Sequence, residues 1–249
     1  ANAEYLASVG QTFHSVGDLT SFEVRKLIGL PVRPYLARAL DAFCPTPGLP
    51  LQFTRTYRGP ITDRLETGVL GRGWTHSLDI RLELLDDDDV LFHDGSGAPR
   101  YFRAKPDGTF EALSSGDRGR LEKDGADYDL REVNGVVYRF VGGLKVTSIE
   151  DAHGNSLTAT YDGGRLATVD HSNGDGFVFA YNAAGRLAQL TDHAGRQVTY
   201  GYDAGGEHLT LTTGYGGRTV QYAYNDDAGA PDDHALSTII HPDGTGRFF

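Results

Sequence analysis

Residues 181–202 read YNAAGRLAQLTDHAGRQVTYGY. The stretch opens and closes on tyrosine. It carries two Gly-Arg pairs and sets a short apolar run on either side of Thr191-Asp192-His193. Two readings compete for it. Asp192, His193 and Arg196 could form a small catalytic or metal-binding patch. Alternatively, the stretch is one link of a repeating chain, and its polar residues only make turns.

The flanking sequence favours the repeat. Tyr161-Asp162, Tyr181-Asn182, Tyr202-Asp203 and Tyr224-Asn225 follow one another at spacings of 20, 21 and 22 residues, and Tyr138 precedes Tyr161 by 23. A Gly-containing turn follows each pair and often leads into Arg-Leu, as in Gly164-Arg165-Leu166 and Gly185-Arg186-Leu187. Three positions after that Leu stands another apolar residue, Val169 or Leu190; Leu236 and Ile239 repeat the step after an insertion at 229–234. A second turn comes next, at 151–154, 172–174, 192–195, 214–217 and 242–244.

The run into each tyrosine alternates. Phe177, Phe179 and Tyr181 share one face, as do Val198, Tyr200 and Tyr202, and Val220, Tyr222 and Tyr224. Period two with aromatic and β-branched residues is the strand signature. Each unit of about 21 residues is therefore two short strands and two turns, a hairpin. The Leu-x-x-Val step breaks strict alternation, so a bulge is expected in the first strand of each unit. The last unit runs into Arg247-Phe248-Phe249, and the register expects the next tyrosine directly afterwards, as in a piece cut within a longer array.

Residues 47–140 also read as β. Leu51, Phe53, Arg55 and Tyr57 alternate with polar neighbours, and Gly71-Arg72-Gly73 turns the chain into Trp74 and the Leu78–Leu84 strand. Short strands around Val90, Tyr101, Phe110, Tyr128 and Val136 lie between Asp-Gly, Asn-Gly and Gly-Ser turns. The acidic run Asp86–Asp89 reads as a solvated turn, with a calcium site as the alternative. The first 46 residues differ. Thr20-Ser21-Phe22-Glu23 has the form of a capping box with Gly29 as a stop, and 34–43 reads as a second short helix with Pro34 in its first turn and Leu36, Leu40 and Phe43 on one face. That segment is expected to cap or plug the β structure.

Bulk composition limits the function classes. The chain has 249 residues, 39% apolar, with 33 glycines, well above the usual share of about 7%. The glycines are scattered without a collagen period and read as turns. Cys44 is the only cysteine, which excludes an internal disulfide and zinc held by a cysteine cluster. It reads as a small buried residue, with a reactive thiol as the alternative. The net charge is −11 and the basic residues are dispersed, so neither nucleic acid nor an anionic membrane surface is expected as a partner. No stretch is long and apolar enough to be read as a transmembrane helix.

The spaced Tyr-Asp/Asn pairs followed by Gly-Arg-Leu resemble the YD repeats of RHS proteins. Such repeats also occur in the C component of Tc toxin complexes, in bacterial wall-associated toxins and in teneurins. The block Leu49–Tyr57 followed by Gly71–Asp79 is similar to the N-terminal domain that opens many RHS proteins, and Asp151-Ala-His-Gly-Asn155 to Tyr161 resembles its usual sequel. The resemblance covers roughly residues 47–249. It implies an all-β fold: an antiparallel β-hairpin repeat ribbon, a fragment of a spiralling YD-repeat shell; the short helical N-terminal segment is read from its own residues, and the stretch before Leu49 does not match the family's usual start. The expected domains are the cap at 1–46, an RHS-type β domain at 47–140, and four to five YD hairpins at 141–249. The implied function is a non-enzymatic structural module of a secreted or cell-surface, toxin-like protein. Its implied partners are the rest of a parent chain or an encapsulated toxin, with self-association through open sheet edges. A surface adhesin for glycan or protein, and a polysaccharide-active enzyme using Asp, His and Tyr, are the alternatives. The self-cleavage known in the family has no counterpart motif here.

Candidate chemistry is weak beside this pattern. His153, His171, His193 and His241 fall at successive second turns and could form a ladder or hold zinc. Their positions slip by a residue or two, and turn chemistry explains them more simply. Arg165 and Arg186 are expected to reach carboxylates such as Asp162. Asp226-Asp227 and Asp232-Asp233 are paired carboxylates without an apolar setting to raise a pKa. The tyrosines are expected to pack across strands, with an exposed stacking surface for sugars or protein as the sharper reading. No catalytic, cofactor-binding or metal residue is assigned.

Overall fold

The computed structural model describes residues 35–58, 62–95, 99–114, 116–225, 227–230 and 232–249. These residues are all-β, with two short 3-10 turns. Thirteen strands, from Arg120–Asp124 to Gly246–Phe248, form one antiparallel sheet in which every strand pairs with its neighbours in sequence. This is the expected ribbon, and it reaches back to Arg120.

The bulge expected from Leu-x-x-Val recurs at the same place beside Tyr161, Tyr181, Tyr202 and Tyr224. Tyr161 pairs with Leu166 while Thr160 pairs with Thr168, so Ala167 is extra. Ala188, Thr210 and Ser237 are extra in the same way beside Tyr181, Tyr202 and Tyr224. The second turns also share one geometry. In the turn at 192–196 the Asp192 N–H donates to Arg196 O at 3.0 Å and the Gly195 N–H donates to Asp192 O at 2.9 Å. The turns that begin at Asp151, His171, Gly214 and His241 repeat both bonds. The fourth residue must take positive φ (76° at Gly195), which accounts for a glycine there in each unit.

The ribbon also corrects one register. Tyr138 pairs with Ile149, the place that Phe179 takes opposite Leu190. The residue at the tyrosine position is therefore Phe140, 21 residues before Tyr161, and Tyr138 stands two positions earlier. By the same ladder Ile239 pairs with Arg247 as Thr212 pairs with Val220, which puts Phe249 two positions before a tyrosine place rather than directly before it.

Two smaller sheets cover the inner face. Strand β1 (Tyr35–Cys44) pairs with β2 (Leu51–Arg58), which pairs with Trp74–His76. The strands Ile80–Leu84, Val90–Asp94, Arg100–Ala104 and Phe110–Ala112 form a four-stranded meander. The meander joins the ribbon through Leu82 N to Leu144 O at 2.7 Å and Val146 N to Ile80 O at 3.1 Å. One apolar cluster runs through all three layers and includes Phe53, Tyr57, Phe92, Phe140, Phe177 and Leu190.

Of the helix expected at 34–43, Pro34 lies outside the described residues and the rest belongs to the strand Tyr35–Cys44. The apolar spacing misled because two bulges, at 35/37 and 40/42, reset which positions face inward. Ala37, Ala42 and Cys44 are buried, whereas Leu40 and Phe43, taken for the helix face, are 59% and 45% exposed. Pairing with the whole length of β2 satisfies the backbone of this segment and overrides its local helical pattern. The capping box at 20–23 and its stop at Gly29 lie outside the described residues.

Candidate functional site: the seam between sheet and ribbon

Alternation along β2 points Phe53, Arg55 and Tyr57 toward the ribbon, where all three are buried. Phe53 lies between the rings of Phe179 and Tyr200, at centroid distances of 5.7 and 6.3 Å. The Tyr57 hydroxyl donates to His234 O at 2.8 Å and accepts from Leu236 N at 3.2 Å. Trp74 Nε1 donates to the Tyr224 hydroxyl at 2.7 Å, which itself donates to Leu209 O at 2.8 Å. Arg72 adds a backbone bond to Glu207 O at 2.8 Å and an ion pair with the Glu207 carboxylate at 2.7 Å.

Arg55 is the most buried charge of the seam, at 1% exposure. Its Nε donates to Asp41 at 2.6 Å and its Nη2 to the Tyr222 hydroxyl at 2.5 Å. The guanidinium lies 4.9 Å from the ring centres of both Trp74 and Tyr222. Burial opposes its charge, but the Asp41 carboxylate outweighs that and holds its pKa above the ordinary arginine value. The Tyr200 hydroxyl gives Asp41 a further donor at 3.0 Å.

The ribbon tyrosines face inward and pack on the core. Each hydroxyl donates to a carbonyl fifteen residues back: Tyr161 to Val146, Tyr181 to Leu166, Tyr202 to Leu187 and Tyr224 to Leu209. For Tyr181, Tyr202 and Tyr224 the acceptor is the residue just before the preceding bulge. Burial pushes Tyr181 up to about 12 and Tyr161, Tyr202 and Tyr224 higher. This is the packed reading of the tyrosines.

The opening stretch gains a partner that sequence did not show. Asp192 staples its own turn, accepting from Ala194 N, Arg196 N and Arg196 Nε at 3.0, 2.9 and 2.7 Å. Burial raises its pKa, but these bonds more than offset that and hold the carboxyl below the usual range. His193 instead reaches Cys44 Sγ at 3.6 Å through Nδ1 and Asp175 at 3.2 Å through Nε2. A cysteine, a histidine and an aspartate thus stand in line. The thiol is fully buried, and burial together with Asp192 and Asp175 raises its pKa. A nucleophilic cysteine requires the opposite shift and access to solvent. The group fastens the end of β1 to two ribbon turns.

The other histidines stay apart. His171 is buried, with Nε2 directed at Pro47 O at 3.1 Å and Nδ1 accepting from Asn173 N at 3.0 Å. His153 and His241 sit on separate turns. Among the described residues, no group of three or more His, Cys, Asp or Glu is placed to hold a metal. His208, unnoticed in the sequence, links Asp203 at 2.8 Å to His234 at 3.0 Å and stacks on Tyr224. Both of these histidines lie in connections of irregular length, where the repeat pattern carries no signal.

Several polar residues find partners other than those expected. Arg186 donates to Gly206 O at 2.7 Å and Arg165 lies over the Tyr181 ring, so among the described residues neither takes a carboxylate. Asp86, Asp87 and Asp88 are exposed as a solvated turn, but Asp89 is buried and accepts from Tyr101 and from Ala104 N. Asp232 and Asp233 bond Asn225 and Gly229 N within their own loop.

Two family models match the chain. Residues 35–102 match a domain of unknown function, DUF6531, an N-terminal region of RHS/YD-repeat proteins, and residues 181–216 match the RHS repeat. The first match spans the two covering sheets as far as Phe102, and the second begins at the tyrosine of the opening stretch. No curated protein matches the chain. With the bulge, the turn and the tyrosine bond recurring in register behind that N-terminal block, the two matches support an RHS/YD-repeat family protein.

Proposed function

We propose that this chain is a non-enzymatic structural module, the start of an RHS/YD-repeat β shell or surface scaffold of a secreted, toxin-like protein. The observation that carries the reading is the uninterrupted thirteen-stranded ribbon whose tyrosines are turned inward and sealed by the N-terminal sheets. Such a sheet grows by adding hairpins and needs no ligand to hold it. Among the described residues no helix is long and apolar enough to cross a membrane. The raised thiol of Cys44 and the turn role of Asp192 speak against catalysis at the most suggestive cluster. Tyrosines that would stack a sugar are engaged in packing, which speaks against a glycan adhesin built on them.

The partners in this reading are the remainder of a parent chain, an encapsulated polypeptide, or further copies joined edge to edge. The last strand, Gly246–Phe248, is exposed throughout and Phe248 is 78% exposed. An uncovered strand edge recruits another strand. Light scattering over a wide concentration range tests this. Association that grows with concentration and weakens in Phe248→Lys is expected. A strict monomer throughout would contradict it.

A further inference from the structure

A cavity of about 370 Å³ opens beside Arg55, between β1 and the ribbon turns at 214–218 and 241–247. Arg38, Arg55, Arg218 and Arg247 line it, with His241, against the single carboxylate of Asp41. In a chain of net charge −11 this is a local reversal of sign. Among the described residues, Arg38, Arg218 and Arg247 form no ion pair, and the Arg247 guanidinium reaches Leu36 O and the Phe249 ring. Arg55 Nη1 is buried and has no hydrogen-bond partner. A buried guanidinium N–H left unmet is costly, and it marks a place where an acceptor belongs.

The walls indicate what kind of molecule carries that acceptor. Ala37 to Asp41 of β1 form one side. β1 pairs with β2 along one edge and with no described strand along the other. An extended peptide can add to such an edge and project alternate side chains into the adjoining pocket. A sugar would need open aromatic faces, but Trp74 and Tyr222 already enclose the Arg55 guanidinium and are 5% and 7% exposed. We propose that the cavity binds an acidic polypeptide segment in extended form, which adds to the edge of β1 that pairs with no described strand and places one Asp or Glu carboxylate against Arg55 Nη1. Arg38, Arg218 and Arg247 at the mouth attract the segment, and Arg55 reads the carboxylate.

An array of hexapeptides alternating Thr and Val, with one Glu walked through each position, tests this on the whole 249-residue chain. A twin array carries Gln in place of Glu. A charge-assisted bond to a buried partner predicts that Glu members at one favoured position bind at least about tenfold tighter than their Gln twins. The preference should vanish in Arg38→Glu/Arg218→Glu. Both positions are exposed, so the far-UV circular dichroism should stay that of the parent chain. Arg55→Lys, which keeps the charge and loses Nη1, should weaken Glu members more than Gln twins. Equal binding of the two arrays, binding to neither, an unchanged preference in the double variant, or uptake of oligogalacturonate in place of the peptides would each overturn the proposal.

Discussion

A ribbon tyrosine such as Tyr202 is held at both ends. Its ring packs on the core of its own unit, and its hydroxyl caps the carbonyl before the bulge of the previous one. The bulge leaves that carbonyl outside the regular ladder, so the phenol does work that a phenylalanine cannot. Tyr202→Phe keeps the ring and strands Leu187 O, and also removes a bond to Val69 O. Loss of a buried bond of this kind costs about 1–3 kcal/mol, to be read as a lower urea midpoint at unchanged slope. Cys44 supplies a second test at this scale. Its buried, high-pKa thiol should react with a thiol reagent only when the chain unfolds, so labelling in buffer should be slow and in strong urea immediate. Prompt labelling of the native chain would reopen the nucleophile reading of Cys44, His193 and Asp175.

The seam is made by elements, above all by the Gly71-Arg72-Gly73 turn that lays Arg72 against the ribbon. Gly71 has φ 85°, and a Cβ there would stand 2.6 Å from Glu207 O. Gly195 has φ 76° in a ribbon turn with open space around it. Both changes to alanine carry the left-handed cost of about 1–2 kcal/mol, but Gly71→Ala must also push backbone from backbone. Its loss of stability should therefore clearly exceed that of Gly195→Ala in chemical denaturation; equal losses would mean that the turn does not press on the ribbon. The repeat elements were legible because a hairpin writes its own period: Leu187, Leu190, Val198, Tyr200 and Tyr202 mark bulge, turn and strand within one local stretch. The segment 35–44 was not, because its inward face is set by two bulges and by a partner strand, and alanines at 37 and 42 give no apolar signal. Phe140 was passed over for Tyr138 because an aromatic two positions away satisfied the same pattern. The seam contacts join residues far apart in sequence, 149 positions for Cys44 and His193, and no local period records them.

For the whole molecule, the buried phenols tie stability to alkaline pH. Burial lifts Tyr57 and Tyr181 from 10.0 to about 12, and other seam tyrosines further. A group whose folded pKa is raised contributes fully below its unfolded value and loses that contribution as pH climbs toward the folded one. Stability from these tyrosines is thus complete below pH 10 and falls between pH 10 and 12. Tyrosinate absorbance and strand dichroism should change together in that window; tyrosines that ionise near pH 10 with the fold intact would show that they are solvated. The central claim is that the N-terminal sheets and the repeat ribbon are one body closed at the seam. Trp74, the only tryptophan, sits in the three-stranded sheet with Tyr224 as its partner, whereas far-UV dichroism is dominated by the thirteen-stranded ribbon. Urea unfolding followed by both signals on one sample tests the claim most directly. One coincident transition, with the same midpoint and slope for the two probes, is the predicted result. A tryptophan transition completed while the ribbon signal stands would contradict it.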